Sequence, residues 1–248
     1  IDKMYTKNVH SVLDYSAEGK EIEEQFDLAM EKTLNTIKFG TERKSIPFAV
    51  FKPTGFGKLE IYRKITEGEK LDAHEEVEWK RIKERYNIVS KAAYERDVPL
   101  LIDAEETWMQ GAADDLIEAM MKKYNKEKVI VFGTLQLYRW DRLDYLKKLH
   151  ERSKEQGFKV GMKLVRGAYM EKERERAEEK NYKDPICVNK AATDKMFNDV
   201  LEYMFKNIDD MAIFAGTHNE ESSYLLMDLI AKSGLSRNDK RIWFGQLY

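Results

Sequence analysis

The sequence is poor in several residue types whose presence would point to particular classes of protein. Its 248 residues include one cysteine, Cys187, and four histidines. A single cysteine excludes an internal disulfide framework and fits a reducing compartment. Four histidines beside one thiol provide no cluster for a structural zinc site, so we expect no metal centre.

Long apolar runs and charge of a single sign are also missing. No apolar run approaches the ~20 residues that span a bilayer, and no signal peptide opens the chain. The net charge is −2 and both signs are mixed, so nothing indicates a nucleic-acid partner. The first residue is Ile1 rather than methionine, from which we expect the native chain to begin further upstream.

The sequence does contain short apolar runs that alternate with amphipathic helical patterns. Seven runs are predicted strands, at residues 11–15, 48–51, 100–102, 129–132, 160–165, 211–215 and 241–245. The first six are each followed by a predicted helix or charged helical stretch, near residues 21–39, 73–95, 108–123, 141–156, from the fifth strand to about 207, and 220–233. Residues 52–72 are read as a polar excursion.

Strict βα alternation predicts an α/β fold with a parallel sheet. We interpret residues 1–248 as a single domain, a distorted (β/α)8 barrel of the TIM type that lacks its eighth βα unit. A doubly wound open sheet is the main alternative, but the Gly-rich phosphate loop common after its first strand is poorly matched by residues 14–19. Polar side chains at the carboxyl ends of the strands favour the barrel, since barrel enzymes build their sites there.

In the first half of the chain, two strands end at candidate catalytic residues. Lys52 follows residues 48–51 and shares the face of Phe48 and Val50. An ordinary solvated lysine at a strand end is the competing interpretation. Asp103 directly follows the strand at 100–102. Its carboxylate could be catalytic, or it could form a helix capping box with Glu106. Both readings of Asp103 stay open, and the two roles can coexist.

The second half carries the most informative stretch, residues 163–174. Lys163 lies on the same strand face as Gly161 and Val165, and Arg166 follows the strand. A Gly-Ala pair and a tyrosine then precede a charged helix. A flat, electron-rich ligand could therefore lie on backbone with positive charge facing it. We read most of the charged run 171–180 as a solvated helix face.

Three further strand ends supply polar groups that could reach the same edge of the sheet. They are Gln136, the pair Thr217 and His218, and Gln246. Asn219 is a good N-cap for the helix that follows. Each signal is weak by itself. Their convergence on one edge predicts a site for a small molecule.

These motifs together resemble proline dehydrogenase, the flavin enzyme of proline catabolism. The matching segments cover most of the chain and comprise residues 12–15, 103–106, 163–169, 217–219 and 244–247. The resemblance implies an FAD-dependent oxidoreductase that converts L-proline to 1-pyrroline-5-carboxylate and reduces a quinone. It also implies peripheral contact with the inner membrane, in the cytoplasm or in the mitochondrial matrix.

The resemblance also assigns roles to individual residues. Asp103, Lys163, Lys52 and Tyr169 would be catalytic, with Lys52 and Leu247 contacting the substrate. The residues lining the flavin would be Ala104, Gln136, Lys163, Arg166, Gly167, Ala168, Thr217 and His218. Lys163 stands where many bacterial members have arginine, which keeps the charge but removes the guanidinium fork.

One departure from the family pattern concerns the end of the chain. In the family, an eighth strand and helix with paired arginines that hold the substrate carboxylate follow the segment at 246–247. Because the sequence stops at Tyr248, we expect this chain to bind proline weakly. A Schiff-base lyase using Lys52 or Lys163 and a non-catalytic scaffold are the alternative functions.

Overall fold

The computed structural model describes residues 1–14 and 21–247. The chain divides into two compact units, Ile1–Gly133 and Thr134–Tyr248. The strand that crosses the division, β3, contributes residues to both.

The first unit combines short parallel strands with long helices. Its strands are β1 (Ala49–Phe51), β2 (Leu100–Ile102) and the start of β3 (Val131–Gln136). Its helices are α1 (Asp2–Tyr5), α2 (Glu23–Glu42), α3 (Leu59–Glu67), α4 (Ala73–Arg96) and α5 (Thr107–Tyr124). A 3-10 turn, Pro53–Gly55, follows β1 directly.

The sheet of this unit has the strand order β1-β2-β3. Ala49 pairs with Leu100, and Leu100 pairs with Val131, both in parallel register. The predicted strand at 11–15 is wrong as a strand, because the described part of it forms only one parallel bridge, Leu13 to Ala49. Its last residue, Tyr15, lies outside the described residues.

The region read as a polar excursion is structured, so that prediction is wrong. Helix α3 buries Ile61 and Tyr62 and ends at Gly68, which takes the left-handed conformation (φ 73°) that glycine adopts without strain. Helix α4 begins with a capping box in which Asp72 accepts hydrogen bonds from backbone N–H groups of the first turn, while the N–H of Asp72 donates to Glu75 Oε2. Two reciprocal caps fix the start of α4 after the turn.

The core of the first unit lies against β1 and β2. Phe51 stacks on Phe56 with ring centroids 4.1 Å apart, and Tyr86 of α4 meets Phe51 edge-on at 5.1 Å. All three residues of β1 and of β2 are buried. Strands buried on both faces read as continuous apolar runs, which explains why these short strands were recognisable.

The second unit continues the alternation. Its strands are the end of β3, β4 (Val160–Val165), β5 (Met211–Gly216) and β6 (Ile242–Gly245), in the order β3-β4-β5-β6. Its helices are α6 (Arg142–Gln156), α7 (Met170–Lys180), α8 (Lys190–Lys206) and α9 (Glu220–Ser233). Strand order that follows chain order in each unit favours the barrel class over a doubly wound sheet, where the order reverses.

Three predictions for the second unit need correction. The charged stretch after β4 is two helices, α7 and α8, joined by a loop at 181–189. The run 171–180 is not simply a solvated face, because Glu173 and Ala177 of α7 are buried. Strand β3 also extends four residues past its predicted end, so Gln136 is the last residue of a strand.

Candidate active site

In the first unit, Lys52 and Asp103 form an ion pair beyond the ends of β1 and β2. The Lys52 Nζ atom lies 3.3 Å from Asp103 Oδ2, and the two side chains are 16% and 13% exposed. The Asp103 N–H donates to Phe51 O at 3.0 Å, so the strand pairing continues to the charged residues. The structure thus brings together two residues that the sequence singled out, from strand ends that are neighbours in the sheet.

The predicted capping box of Asp103 and Glu106 is wrong. Helix α5 begins at Thr107, its N-cap is Glu106, and no side-chain cap hydrogen bond forms there. Asp103 lies too far before the first helical turn to cap it. This removes the competing explanation for the carboxylate of Asp103.

A second pair at the same strand ends was missed from the sequence. Glu105 is 2% exposed, and its two carboxylate oxygens accept hydrogen bonds from the Thr54 hydroxyl at 2.6 Å and the Thr54 N–H at 2.8 Å. Both this pair and the Lys52–Asp103 pair have the 51-residue offset by which β1 pairs with β2. The same offset, applied two residues beyond Lys52 and Asp103, would have predicted the contact between Thr54 and Glu105. Ala104, between the two acids, is buried.

The protonation of Glu105 should make stability depend on pH. Burial raises the pKa of its carboxyl from 4.5 to about 7, although the hydrogen bonds from Thr54 and the charge of Lys52 oppose the rise. The folded protein therefore holds this proton to a higher pH than the unfolded chain. This contribution is complete below pH 4.5 and is lost as the pH rises through 7, so we expect about 3 kcal/mol less unfolding free energy above this window.

Urea unfolding at a series of pH values, on the wild type and on Glu105→Gln, measures this contribution. The amide cannot titrate, so the difference between the two unfolding free energies should change across the window from pH 4.5 to 7. A difference that stays constant with pH would contradict the assignment to Glu105.

In the second unit, Arg166 is held at the end of β4 by three hydrogen-bonding partners. Its guanidinium donates to Asp194 Oδ1 of α8 at 2.7 Å, to Thr217 Oγ1 at 2.7 Å and to Ser222 Oγ of α9 at 3.2 Å. The same group lies 4.6 Å above the Phe197 ring. Burial tends to raise the pKa of Asp194, but hydrogen bonds from Lys190 and Arg166 outweigh it and lower that pKa. A planar cation is thus fixed where the loop begins.

Gly167 and Ala168 follow, and the backbone conformation of Gly167 is one that favours glycine. Gly167 has φ +129°, and a Cβ atom there would overlap ring atoms of Tyr138. The N–H of Ala168 donates to Gln136 Oε1 at 3.1 Å. Gln136 is buried, so the amide at the end of β3 holds the loop after β4. Tyr169 is the half-buried N-cap residue of α7, with the Lys172 ammonium 5.5 Å from its ring centroid.

Lys163 and the ends of β5 and β6 complete the second group. Lys163 is half-buried in β4, and its backbone pairs in register with Phe214 of β5. The Thr217 N–H donates to Gly245 O at 3.0 Å, and Leu247 O lies 2.8 Å from His218 Nε2. His218 and Leu247 are exposed, Leu247 to 88%. As predicted, Asn219 caps α9 by accepting from Ser222 N at 2.9 Å.

Comparison with known proteins identifies the family. The family model described as proline dehydrogenase matches residues 1–248. The chain belongs to the proline dehydrogenase family. Proline dehydrogenase 1, mitochondrial, of Drosophila melanogaster is 38% identical over 70% of this chain and 27% of the fly protein. The human protein of the same name is 36% identical over 70% of this chain and 29% of the human protein.

One relative of this proline dehydrogenase family member carries a different name. The carbapenem antibiotics biosynthesis protein CarD of Pectobacterium carotovorum subsp. carotovorum is 37% identical over 96% of this chain and 61% of CarD. The chain thus spans about three fifths of CarD and less than a third of the two mitochondrial relatives.

Two solved structures share the fold of this chain. Proline utilization A (PutA) from Bdellovibrio bacteriovorus superposes with a TM-score of 0.81 over 99% of this chain and 26% of that chain, at 19% identity. PutA from Corynebacterium freiburgense gives a TM-score of 0.78 over 99% of this chain and 24% of that chain, at 17% identity. The predicted fold class, an α/β fold of the distorted (β/α) barrel type, is confirmed by this likeness.

Proposed function

We propose that this chain is the catalytic part of an FAD-dependent proline dehydrogenase. It would oxidise L-proline to 1-pyrroline-5-carboxylate, with a quinone as the final electron acceptor. Membership of the family over the whole chain carries the proposal. The half-buried ion pair at 3.3 Å in the first unit and the fixed guanidinium in the second support it.

The residues of the second unit fit a flavin. The group combines a guanidinium, a half-buried ammonium, a buried amide and a loop that glycine brings close to an aromatic ring. Cations and N–H donors are the groups that stabilise an electron-rich ring as it takes up negative charge. When bound, FAD would supply the acceptor for the hydride. The residues we propose to hold it are Ala104, Gln136, Lys163, Arg166, Gly167, Ala168, Thr217 and His218.

We assign the substrate chemistry to Lys52 and Asp103. Oxidation removes a hydride from the carbon next to nitrogen and a proton from the nitrogen, leaving a C=N bond. The amine must be neutral before hydride can leave, so an ammonium substrate must first lose a further proton from nitrogen. Asp103 is the carboxylate placed to accept it, and Lys52 supplies positive charge and orients Asp103. Tyr169 and Leu247 would form apolar walls, and Lys163 would act with Arg166 on the flavin.

A visible absorption spectrum tests the proposal directly. We expect the purified protein, supplied with FAD, to show a flavin spectrum that is bleached by L-proline under anaerobic conditions. A protein that binds no flavin, or a flavin that proline does not reduce, would contradict the proposal. Trapping of a substrate adduct on Lys52 by borohydride, without flavin, would instead support a Schiff-base lyase.

The substrate should be examined on a panel of cyclic secondary amino acids. CarD is named for carbapenem biosynthesis rather than for proline oxidation, so proline alone is too narrow a choice. Faster bleaching by L-proline than by hydroxyproline or ring-substituted prolines would support proline as the substrate. Faster bleaching of the flavin by another cyclic amino acid would retain amine oxidation as the reaction and identify that compound, rather than proline, as the substrate.

The location and electron acceptor are proposed from the relatives. Eukaryotic members are named as mitochondrial, and we propose peripheral contact with the membrane that holds the quinone, the inner mitochondrial membrane in a eukaryote or the cytoplasmic side of the inner membrane in a bacterium. Within residues 1–14 and 21–247, no helix combines the length and apolar character needed to cross a bilayer. Proline-dependent reduction of a soluble quinone analogue by the purified protein would test the acceptor.

Replacing Arg166 with glutamine should weaken flavin binding by about thirtyfold, because the change removes the guanidinium and also leaves Asp194 without one of its cations. Titration of FAD followed by its fluorescence measures the dissociation constant. Arg237→Gln makes the same change of charge at an exposed position of this unit and should bind FAD like the wild type. Equal weakening in both variants would point to net charge rather than to a contact at Arg166.

A further inference from the structure

The turn that follows Lys52 is held in place by side chains from three other elements. Tyr62 of α3 donates its hydroxyl to Pro53 O at 2.9 Å. Arg85 of α4 donates to Phe56 O at 3.0 Å. Between these two contacts, the backbone N–H and the hydroxyl of Thr54 donate to the two oxygens of Glu105, at 2.8 and 2.6 Å. The backbone two residues beyond Lys52 is therefore fixed at several points.

The carboxylate that holds Thr54 is itself fixed. The N–H of Glu105 donates to Gln110 Oε1 at 2.8 Å, and Gln110 Nε2 donates to Asp114 Oδ1 at 2.8 Å. Thr54, Glu105 and Gln110 are all buried. This chain of hydrogen bonds links the turn after β1 to the first turns of α5.

Burial of Glu105 needs a reason beyond stability. A buried carboxylate loses hydration, and isolated burial is costly unless hydrogen bonds compensate. Burial raises the pKa of Glu105 to about 7, and the positive charge of Lys52 is one of the influences that oppose this rise. The charge of Lys52 therefore influences the pKa of Glu105, and Glu105 in turn accepts a hydrogen bond from the backbone two residues beyond Lys52. An apolar residue in place of Glu105 would avoid this desolvation, but it would take both acceptors away from the buried N–H and hydroxyl of Thr54.

We propose that Glu105 and Thr54 are positioning residues that hold the Lys52 ammonium against Asp103. The inference rests on the proposed function for the claim that Lys52 acts on the substrate. The two pairs share one register, and Thr54 is two residues from Lys52 while Glu105 is two residues from Asp103. Loss of the Thr54–Glu105 pair should therefore release Lys52 from Asp103 without removing either charged residue.

Amine labelling measures the position of Lys52 without any need for activity. Reductive methylation of the full chain, followed by digestion with a protease that does not cleave at lysine and by mass spectrometry, gives a rate for each lysine. We expect Thr54→Val, which removes one hydroxyl donor at nearly constant volume, to raise the rate at Lys52 about fivefold. Thr54→Ser keeps the donor and should label like the wild type. Glu105→Met, which removes both acceptors, should raise the rate further.

Lys58 is the internal control for loosening of the whole unit. It lies in the same unit and pairs with Glu78 at 2.6 Å, outside the hydrogen bonds of Thr54 and Glu105. If Thr54→Val leaves the rate at Lys52 unchanged, or raises the rates at Lys52 and Lys58 in the same proportion, the positioning role is refuted.

A double-mutant cycle on kcat/KM for L-proline adds a readout that a merely structural role would not give. Thr54→Val should lower kcat/KM about tenfold in the wild-type background, and Thr54→Ser should not. In a Lys52→Met background the same change should have almost no further effect, because the group it positions is gone. An undiminished effect in that background would overturn the inference.

The two experiments separate this inference from the proposed function. A wild-type protein whose flavin is not bleached by proline, but whose Lys52 labelling responds to Thr54→Val, would refute proline oxidation and retain the positioning role. If proline bleaches the flavin but Thr54→Val leaves the labelling of Lys52 unchanged, proline oxidation is retained and the positioning role is refuted.

Discussion

Replacing Gly167 with alanine is expected to lower the free energy of unfolding by about 4 kcal/mol. The residue has φ +129°, which L side chains rarely adopt, and a Cβ atom there would overlap Cδ1 and Cε1 of Tyr138. Forcing a side chain into such a backbone conformation costs about 1–3 kcal/mol, and overpacking costs a similar amount. Since Ala168 N–H bonds to Gln136, the disturbance should also reach the end of β3.

Urea unfolding of Gly167→Ala against Gly234→Ala measures the effect. Gly234 also has positive φ, 75°, but nothing lies within 4 Å of a Cβ built there, so alanine should cost only about 1 kcal/mol at that position. Measured in a Tyr138→Ala background, Gly167→Ala should cost less, because the overlap is gone and only the backbone part remains. If Gly167→Ala costs no more than Gly234→Ala, the overlap with Tyr138 does not constrain this loop.

Replacing Lys52 with methionine is expected to lower kcat/KM for L-proline by about a thousandfold. The change removes a half-buried positive charge 3.3 Å from Asp103 while it keeps an unbranched side chain of almost the same length. Removing one preorganised group that stabilises charge in a site typically costs 10² to 10³ in rate, roughly. We therefore expect Asp103 to remain in place but to lose the partner that orients it toward the substrate amine.

Steady-state kinetics with a soluble quinone analogue, together with the flavin spectrum, test this expectation. The spectrum of the Lys52→Met protein should show bound flavin, which separates a catalytic defect from unfolding. Lys58→Met is the matched control, since Lys58 forms an ion pair with Glu78 in the same unit and has no proposed role. Activity of Lys52→Met close to that of Lys58→Met would rule out a role for Lys52.

Much of the fold was predictable because several elements carry their own boundaries. Strand β4 and helix α9 have the predicted limits, since an apolar run ends at Arg166 and Asn219 caps the helix. Helix α3 is strongly amphipathic but only nine residues long, and it was missed because it lies among the polar residues of the segment 52–72. The contact of Leu13 depends on a single bridge to Ala49, which local sequence cannot specify.

The site was predictable where it depends on strand ends and not where it depends on packing. Lys52 and Asp103 were found because neighbouring parallel strands end at the same edge. Glu105 was missed, because nothing in the sequence marks it as buried. Asp194, the partner of Arg166, lies 28 residues further along in an amphipathic helix. The overlap of Gly167 with Tyr138 also required three-dimensional structure.

The shared register of β1 and β2 has a consequence for protein engineering. Contacts made through strand pairing do not depend on how many residues connect the strands. An insertion at the exposed turn near Lys70, between α3 and α4, would change the numbering but leave Lys52 opposite Asp103 and Thr54 opposite Glu105. A slip of one residue between the strands would break both pairs together. The connection between α3 and α4 is thus a place where a reporter peptide could be inserted without altering the chemistry.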